Sequence, residues 1–274
     1  MKNCSVICSL AICAALCFSC KSKYDLLLSS NDVPSKYEEA MKLYEAKKYK
    51  KAAGLFESLS MLTSGTEKDD TVRFYWALSN YHNSDFITAQ ANFTSYIEMY
   101  PRSSFTSKAR FLRIDCYYRA TNRYELDQAP THEAIMEISQ YMLEYPESDK
   151  ISVCRDMLND LTARLDTKEY ENALLYYKME DYLAARTALK NVLKDKAENM
   201  HREHVLYYIA MSAYKYASLS VPSKQKERYL MFVDEYFNFI SENPQSAYRK
   251  ELDELYDRAQ KALGKGTSLP TTKF

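Results

Sequence analysis

The sequence predicts an all-α protein, a solenoid of about five stacked helical hairpins closed by a C-terminal capping helix. Three observations carry this. Apolar residues recur at helical rather than alternating spacing. Glycine and proline are scarce, four and seven in 274 residues, while tyrosine reaches 25, which suits packed helices with aromatic contacts between them. Finally, a pattern of small residue, apolar residue four later and aromatic or aliphatic residue three after that returns along the chain, three times with proline five further on.

Composition narrows the function classes. A hydrophobic content of 46% is enough for a real core without a disulfide framework or structural metal. Lys and Arg number 37 against 37 Asp and Glu, so no basic excess points to nucleic acid. Gly54, Gly65, Gly264 and Gly266 fall in no phosphate-cradling pattern, and no cofactor is expected.

Residues 1–19 read as a cleaved signal peptide. Lys2 supplies a short positive start, and the apolar run from Val6 to Phe18 is too short to span a bilayer. Leu16-Cys17-Phe18-Ser19-Cys20 resembles a lipobox, in which a small residue precedes the cysteine that becomes acylated. Cys20 would then be the lipidated first residue of the mature chain, with enough methylene groups on its acyl chains for stable anchoring. Lys21 follows, and resemblance to bacterial sorting rules implies the outer membrane. Cys4, Cys8, Cys13 and Cys17 leave with the signal, so Cys116 and Cys154 remain, as buried hydrophobes or as a disulfide.

Residues 20–34 read as a polar, lipid-anchored linker. Ser35 is expected to cap the first helix, with Glu38 completing a capping box. Helix pairs are predicted near 35–62, 68–100, 103–145, 166–195 and 199–242, with an extra helix at 149–165 and a cap at 246–263. The recurring pattern is Ala52-Phe56-Leu59, Ala89-Phe93-Tyr96-Pro101, Ala134-Ile138-Tyr141-Pro146, Ala185-Leu189-Val192 and Phe232-Tyr236-Phe239-Pro244. Its starts are spaced by 37, 45, 51 and 47 residues. The small residue lets two helices approach, the aromatic fills the groove against the next hairpin, and proline ends the helix. A single hairpin cannot bury both faces, so stacking is obligatory. The tail 264–274 is expected to be disordered.

These residues resemble tetratricopeptide repeats (TPR-like), with Trp76, Ala77, Ala173 and Tyr176 at first-helix signature places. Residues 35–145 would hold repeats 1–3, and 146–263 repeats 4–5 plus the cap. The lipobox-like Cys20, the repeat Tyr37–Phe56 and the Tyr-Pro-[Arg/Glu]-Ser phrases at 100–103 and 145–148 make the chain similar to the BamD family of outer-membrane assembly lipoproteins. That resemblance implies a lipid-anchored scaffold on the periplasmic face of the outer membrane. It would bind the periplasmic domains of a BamA-type barrel and unfolded outer-membrane protein substrates. Candidate groove residues are Tyr75, Trp76, Tyr81 and Phe86, with inter-helix core as the other reading, and Arg102, Arg110 and Arg113, with Lys108, on a basic stretch.

Three rivals are open to weighing. A periplasmic adaptor for cell-wall coordination usually carries an amino-terminal coiled coil, yet no heptads run between Lys21 and Ser35. A SusD-like glycan binder stacks sugars on several aromatics, and here Trp76 stands alone. An enzyme would need a catalytic set. His201 and His204 sit three apart on a helix without a third ligand and read as a surface pair, so no catalytic or metal residue is assigned.

Overall fold

The computed structural model describes residues 23–264, and among them the regular elements are all helices. The expected signal peptide, Cys20 and the expected disordered tail from Lys265 onward lie outside the described residues. Twelve helices follow one another: α1 Lys23–Ser29, α2 Val33–Glu45, α3 Tyr49–Leu62, α4 Asp69–His82, α5 Phe86–Met99, α6 Thr106–Arg119, α7 Ala129–Glu144, α8 Ile151–Lys178, α9 Tyr182–Asp195, α10 Arg202–Ser218, α11 Pro222–Glu242 and α12 Arg249–Ala262. They form two compact units. The first runs to Thr121 and takes in Ala129–Cys154; the second comprises Asn122–Gln128 and continues from Arg155.

Every core position of the recurring pattern is buried. Ala52, Phe56, Leu59, Ala89, Phe93, Ala134, Ile138, Ala185, Leu189, Phe232 and Phe239 are fully shielded, and Tyr96, Tyr141, Val192 and Tyr236 nearly so. The cores show why stacking is obligatory, since four of the hairpins are each closed by the helix that follows them. Ala40 and Leu43 of α2 and Phe56 and Leu59 of α3 meet Val72 of α4. Phe74 and Ala77 of α4 and Phe93 and Tyr96 of α5 meet Leu112 and Cys116 of α6. In the second unit, Tyr170 and Leu174 of α8 and Leu189 of α9 meet Val205 and Ile209 of α10. The last hairpin, α10–α11, is closed by Leu252, Leu255, Tyr256 and Ala259 of the capping helix α12. Burying each large side chain is worth about 1.5–3 kcal/mol, so these shared cores supply much of the driving force.

The corners between hairpins repeat as closely as the cores. Thr66, Ser103, Ser148, Asn199 and Ser246 each sit fourteen residues after the first pattern position. Each donates its N–H to the carbonyl three residues back, at 2.9–3.2 Å, and its carbonyl accepts from the N–H three residues on. Within hairpins, Lys47, Ser84 and Glu180 take positive φ of 57°, 63° and 64°, each five residues before the pattern start. There the N–H of the following residue reaches back to Leu43, Asn80 or Tyr176. Asp85 and Asp181 then cap the second helix through Thr88 and Ala184 N–H groups, both at 3.1 Å.

Three expectations are corrected. The expected linker contains α1, a docked helix, because Tyr24 and Leu27 find apolar surface on the first hairpin. The first cap is Asp32, whose Oδ1 accepts from Ser35 N at 3.3 Å, with Pro34 in the opening turn of α2; Ser35 is already inside the helix. The helix expected at 149–165 and the one after it are a single 28-residue helix, α8. No glycine, proline or turn cluster interrupts 151–178, so nothing breaks the backbone ladder there.

Candidate functional site

Two open recesses, one in each unit, offer concave surfaces. That of the first unit is built by two successive corners. Helix α5 stops at Met99 because Pro101 cannot continue it. Ser103 then ties the corner, its Oγ accepting from Phe105 N at 3.2 Å while Tyr96 Oη donates to it at 2.8 Å. The next corner copies this: Tyr141 and Ser148 hydroxyls lie 2.9 Å apart, and Lys150 N donates to Ser148 Oγ at 3.2 Å. The tyrosine of the helix and the serine of the Tyr-Pro-x-Ser phrase are therefore one device, seven residues apart.

Between these corners lies a recess of about 780 Å³, lined among others by Arg102, Arg110, Tyr145, Glu144, Glu147 and Asp149. The Arg110 guanidinium sits 5.0 Å above the Tyr145 ring, which holds a cation at the recess wall. Arg113 faces an adjoining smaller recess and pairs with Glu137 at 3.0 Å. The basic stretch is thus part surface and part paired. Arg102 and Arg110 share one recess, and Lys108 lies over Phe74 at 5.8 Å instead. Guanidinium donors, carboxylate acceptors and tyrosine faces together suit an extended polypeptide held by both backbone and side chains.

The early aromatics pack largely between helices. Tyr75 stacks on Phe56 at 5.8 Å and meets Tyr44 edge-on at 5.1 Å, and Trp76 leans on the same core. Tyr81 donates to Asp115 and packs against Phe86, with the Arg119 guanidinium over both rings. Burial first, then the Asp115 carboxylate, pushes the Tyr81 hydroxyl up to about 12. Tyr100 is likewise pushed up to about 12, by burial and by its bond of 2.6 Å to Asp69, so both phenols remain neutral donors.

The second recess, about 630 Å³, was not singled out by the sequence. Ala173, Ala188 and Val192 line it together with Leu175, Tyr176 and Met179, and Asn172, Asn191, Glu169 and Asp195 complete it. Leu175, Tyr176 and Met179 are 53%, 45% and 67% exposed, a large apolar offering for a surface. A signal was present. From Ala173 to Met179 only Lys178 is polar, so the end of α8 is apolar almost all round, more than one buried stripe needs.

The remaining candidates are structural. Cys116 and Cys154 are free and buried, and burial pushes the Cys116 thiol up to about 12. His201 stacks on Tyr170 at 4.8 Å and shares a hydrogen bond of 2.9 Å with Thr167 Oγ1. Among the described residues no group of three or more His, Cys, Asp or Glu could hold a metal, and no helix is long and apolar enough to cross a membrane.

Comparison with known proteins adds a family. The family model described as "YfiO: Outer membrane lipoprotein" matches residues 30–231. An "Outer membrane protein assembly factor BamD" of Rickettsia prowazekii is 24% identical over 77% of this chain and 84% of that protein. A protein of the same name from Caulobacter vibrioides is 25% identical over 54% of this chain and 48% of that one. A solved structure, the TPR2AB-domain:pHSP90 complex of yeast Sti1, aligns at 17% identity over 83% of this chain and 98% of that one. Its TM-score of 0.39 is too low to bear on either fold or function.

Proposed function

We propose that this chain, which belongs to the YfiO family of outer membrane lipoproteins, is a non-catalytic scaffold of the β-barrel assembly machinery. It is anchored through Cys20 at the periplasmic face of the outer membrane. The observation that carries the reading is the extent of the family match. It runs over residues 30–231, through the first four hairpins and into the middle of α11, and so covers far more than one generic repeat. Both curated relatives bear the name of an outer membrane protein assembly factor.

The two recesses divide the work. The polar recess around Arg102 and Arg110 receives extended segments of unfolded barrel proteins, and the apolar recess on α8 and α9 docks a folded partner, the periplasmic domains of a BamA-type barrel. The reading is supported by chemistry. Charged and tyrosine groups fit a varied chain, while Leu175, Tyr176 and Met179 fit one fixed apolar anchor.

The test is purification of the acylated protein from gently solubilised envelopes, with mass spectrometry of what accompanies it. A near-stoichiometric BamA-type barrel is expected. Recovery of cell-wall synthases or a glycan transporter in its place would overturn the assembly reading. Cys20→Ala is expected to move the protein out of the membrane fraction.

A further inference from the structure

One flank of the first hairpin is covered by a short helix, and the way it is seated has a counterpart in the second unit. Tyr24 and Leu27 of α1 pack on the core that holds Ala40, Leu43 and Leu55. The Tyr24 hydroxyl donates to Lys51 O at 3.2 Å and lies over Gly54, where a Cβ would meet it at 2.6 Å. Lys36 of α2 is fully buried and closes the carbonyl end of α1. Its ammonium is 3.2 Å from Leu28 O, 2.6 Å from Ser30 O and 2.7 Å from Ser58 Oγ. A cation there complements both the helix dipole and the unpaired carbonyls.

The apolar recess of the second unit repeats this seat, open to solvent. Lys36, Ala40 and Leu43 stand 16, 12 and 9 residues before Ala52, and Leu55 and Ser58 stand 3 and 6 after it. Counted from Ala185, the same places fall to Glu169, Ala173, Tyr176, Ala188 and Asn191, all five on the wall of the recess. What is covered in the first hairpin is uncovered here: Leu43 is 8% exposed, and Tyr176, at the same place, 45%. One place changes sign. Glu169 stands where Lys36 does, and Asp195, one turn beyond Asn191, brings a second carboxylate. Because Lys36 and Ser58 meet across the first seat, Glu169 and Asp195 belong to the corresponding end of the second.

We propose that this recess takes a short helix of its partner, laid along it as α1 lies on the first hairpin but running the opposite way, with its amino-terminal turn at Glu169 and Asp195. Carboxylates complement the free N–H groups and positive dipole end of a helix, as the Lys36 ammonium complements the carbonyl end. Leu175, Tyr176 and Met179 supply the apolar floor. The inference rests on the reading of this recess as the docking place of a BamA-type barrel's periplasmic domains, and adds which element docks and in which direction.

The test is photo-crosslinking of the full chain in intact envelopes, with benzoylphenylalanine in place of Asn172 in one preparation and of Met179 in another, both exposed. The crosslinked residues of the barrel partner are read by mass spectrometry. Both positions are expected to reach one helix of its periplasmic domains, Asn172 at the first turn and Met179 about one to two turns later, as their separation along α8 requires. Glu169→Lys with Asp195→Lys is expected to cut both yields about tenfold while leaving the melting temperature unchanged. Glu169→Gln with Asp195→Asn should cut them less. Crosslinks to strands or loops of the barrel partner, the reverse order along a helix, or yields indifferent to the charge reversal would overturn the helix and leave the partner standing. No crosslink to a barrel partner from either position would instead overturn the docking reading on which the helix depends.

Discussion

The recess of the first unit and that of the second come from one template and differ in chemistry. The first lies where two corners meet, and corners are polar because they end helices. Backbone groups left by Pro101 and Pro146 must be satisfied, so Ser103, Ser148, Tyr96 and Tyr141 gather there, and Arg102, Arg110 and acidic side chains surround them. The second lies along helix flanks, where nothing polar is obligatory, and Leu175, Tyr176 and Met179 remain open to solvent. A repeat protein can thus acquire two binding chemistries without changing its core, by using its corners in one place and its helix faces in another.

The largest expected effects would break the shared template itself. Ala89→Trp in the first unit and Ala185→Trp in the second each overfill a fully buried helix crossing, and each should destabilise by about 1–3 kcal/mol in urea denaturation. An unaltered midpoint for either would show that the pattern does not have the same packing role in both units.

Next come substitutions that separate the two chemistries. Met179→Glu should weaken capture of the apolar partner about tenfold or more, roughly 1.4 kcal/mol. Its own stability should shift by less than about 0.5 kcal/mol, because the side chain is 67% exposed. Arg102→Glu should act instead on unfolded substrate segments, through an association that weakens as salt is raised. Equal salt sensitivity of both associations would remove the distinction drawn between the recesses.

Smaller effects sharpen the comparison at the turns. Ser84 in the first unit and Glu180 in the second hold left-handed backbone that favours glycine. Ser84→Gly and Glu180→Gly should each raise stability by about 0.5–1 kcal/mol, read as a higher melting temperature. A fall would mean that the native side chain makes up for the strain.

The smallest effect concerns acid. Burial, and secondarily the neighbouring His204, holds the His201 imidazole below its ordinary value. The unfolded chain then binds that proton more readily than the folded one. The contribution is complete above the ordinary histidine pKa of about 6.5 and is lost as pH falls below it. His82 of the first unit is shifted the same way, by burial and then by Lys108. His201→Gln should flatten the decline in melting temperature between neutral and mildly acidic pH, and an unchanged slope would remove His201 from that account.

Much of this molecule was legible before any coordinates. The pattern Ala89-Phe93-Tyr96 and its relatives marked the buried positions because a small residue and a large one at helical spacing have one common use, the close crossing of two helices. The corner residues Thr66, Ser103, Ser148, Asn199 and Ser246 share a register as strict as that of the core, but their identities vary, and no motif of fixed letters picks them out. Helix α1 is hidden in the sequence because Lys21–Ser35 is short and largely polar, and seven residues hold too few turns for helical spacing to show. The apolar recess leaves no separate mark in the sequence, because Leu175 and Tyr176 have the character of core residues along a single helix.

The sequence by itself determined the repeated helix pairs, the places where they cross, the proline corners and the lipobox-like start, since each depends on residues near one another in the chain, but it did not reveal α1 or the unbroken α8. Tertiary structure alone decided which apolar side chains were left uncovered, that Arg110 would find Tyr145 while Arg113 found Glu137, and that Lys36 would close the end of α1. Those outcomes depend on which faces the neighbouring helices occupy. Helical periodicity says which residues share a face, and only the packed neighbours say what covers it.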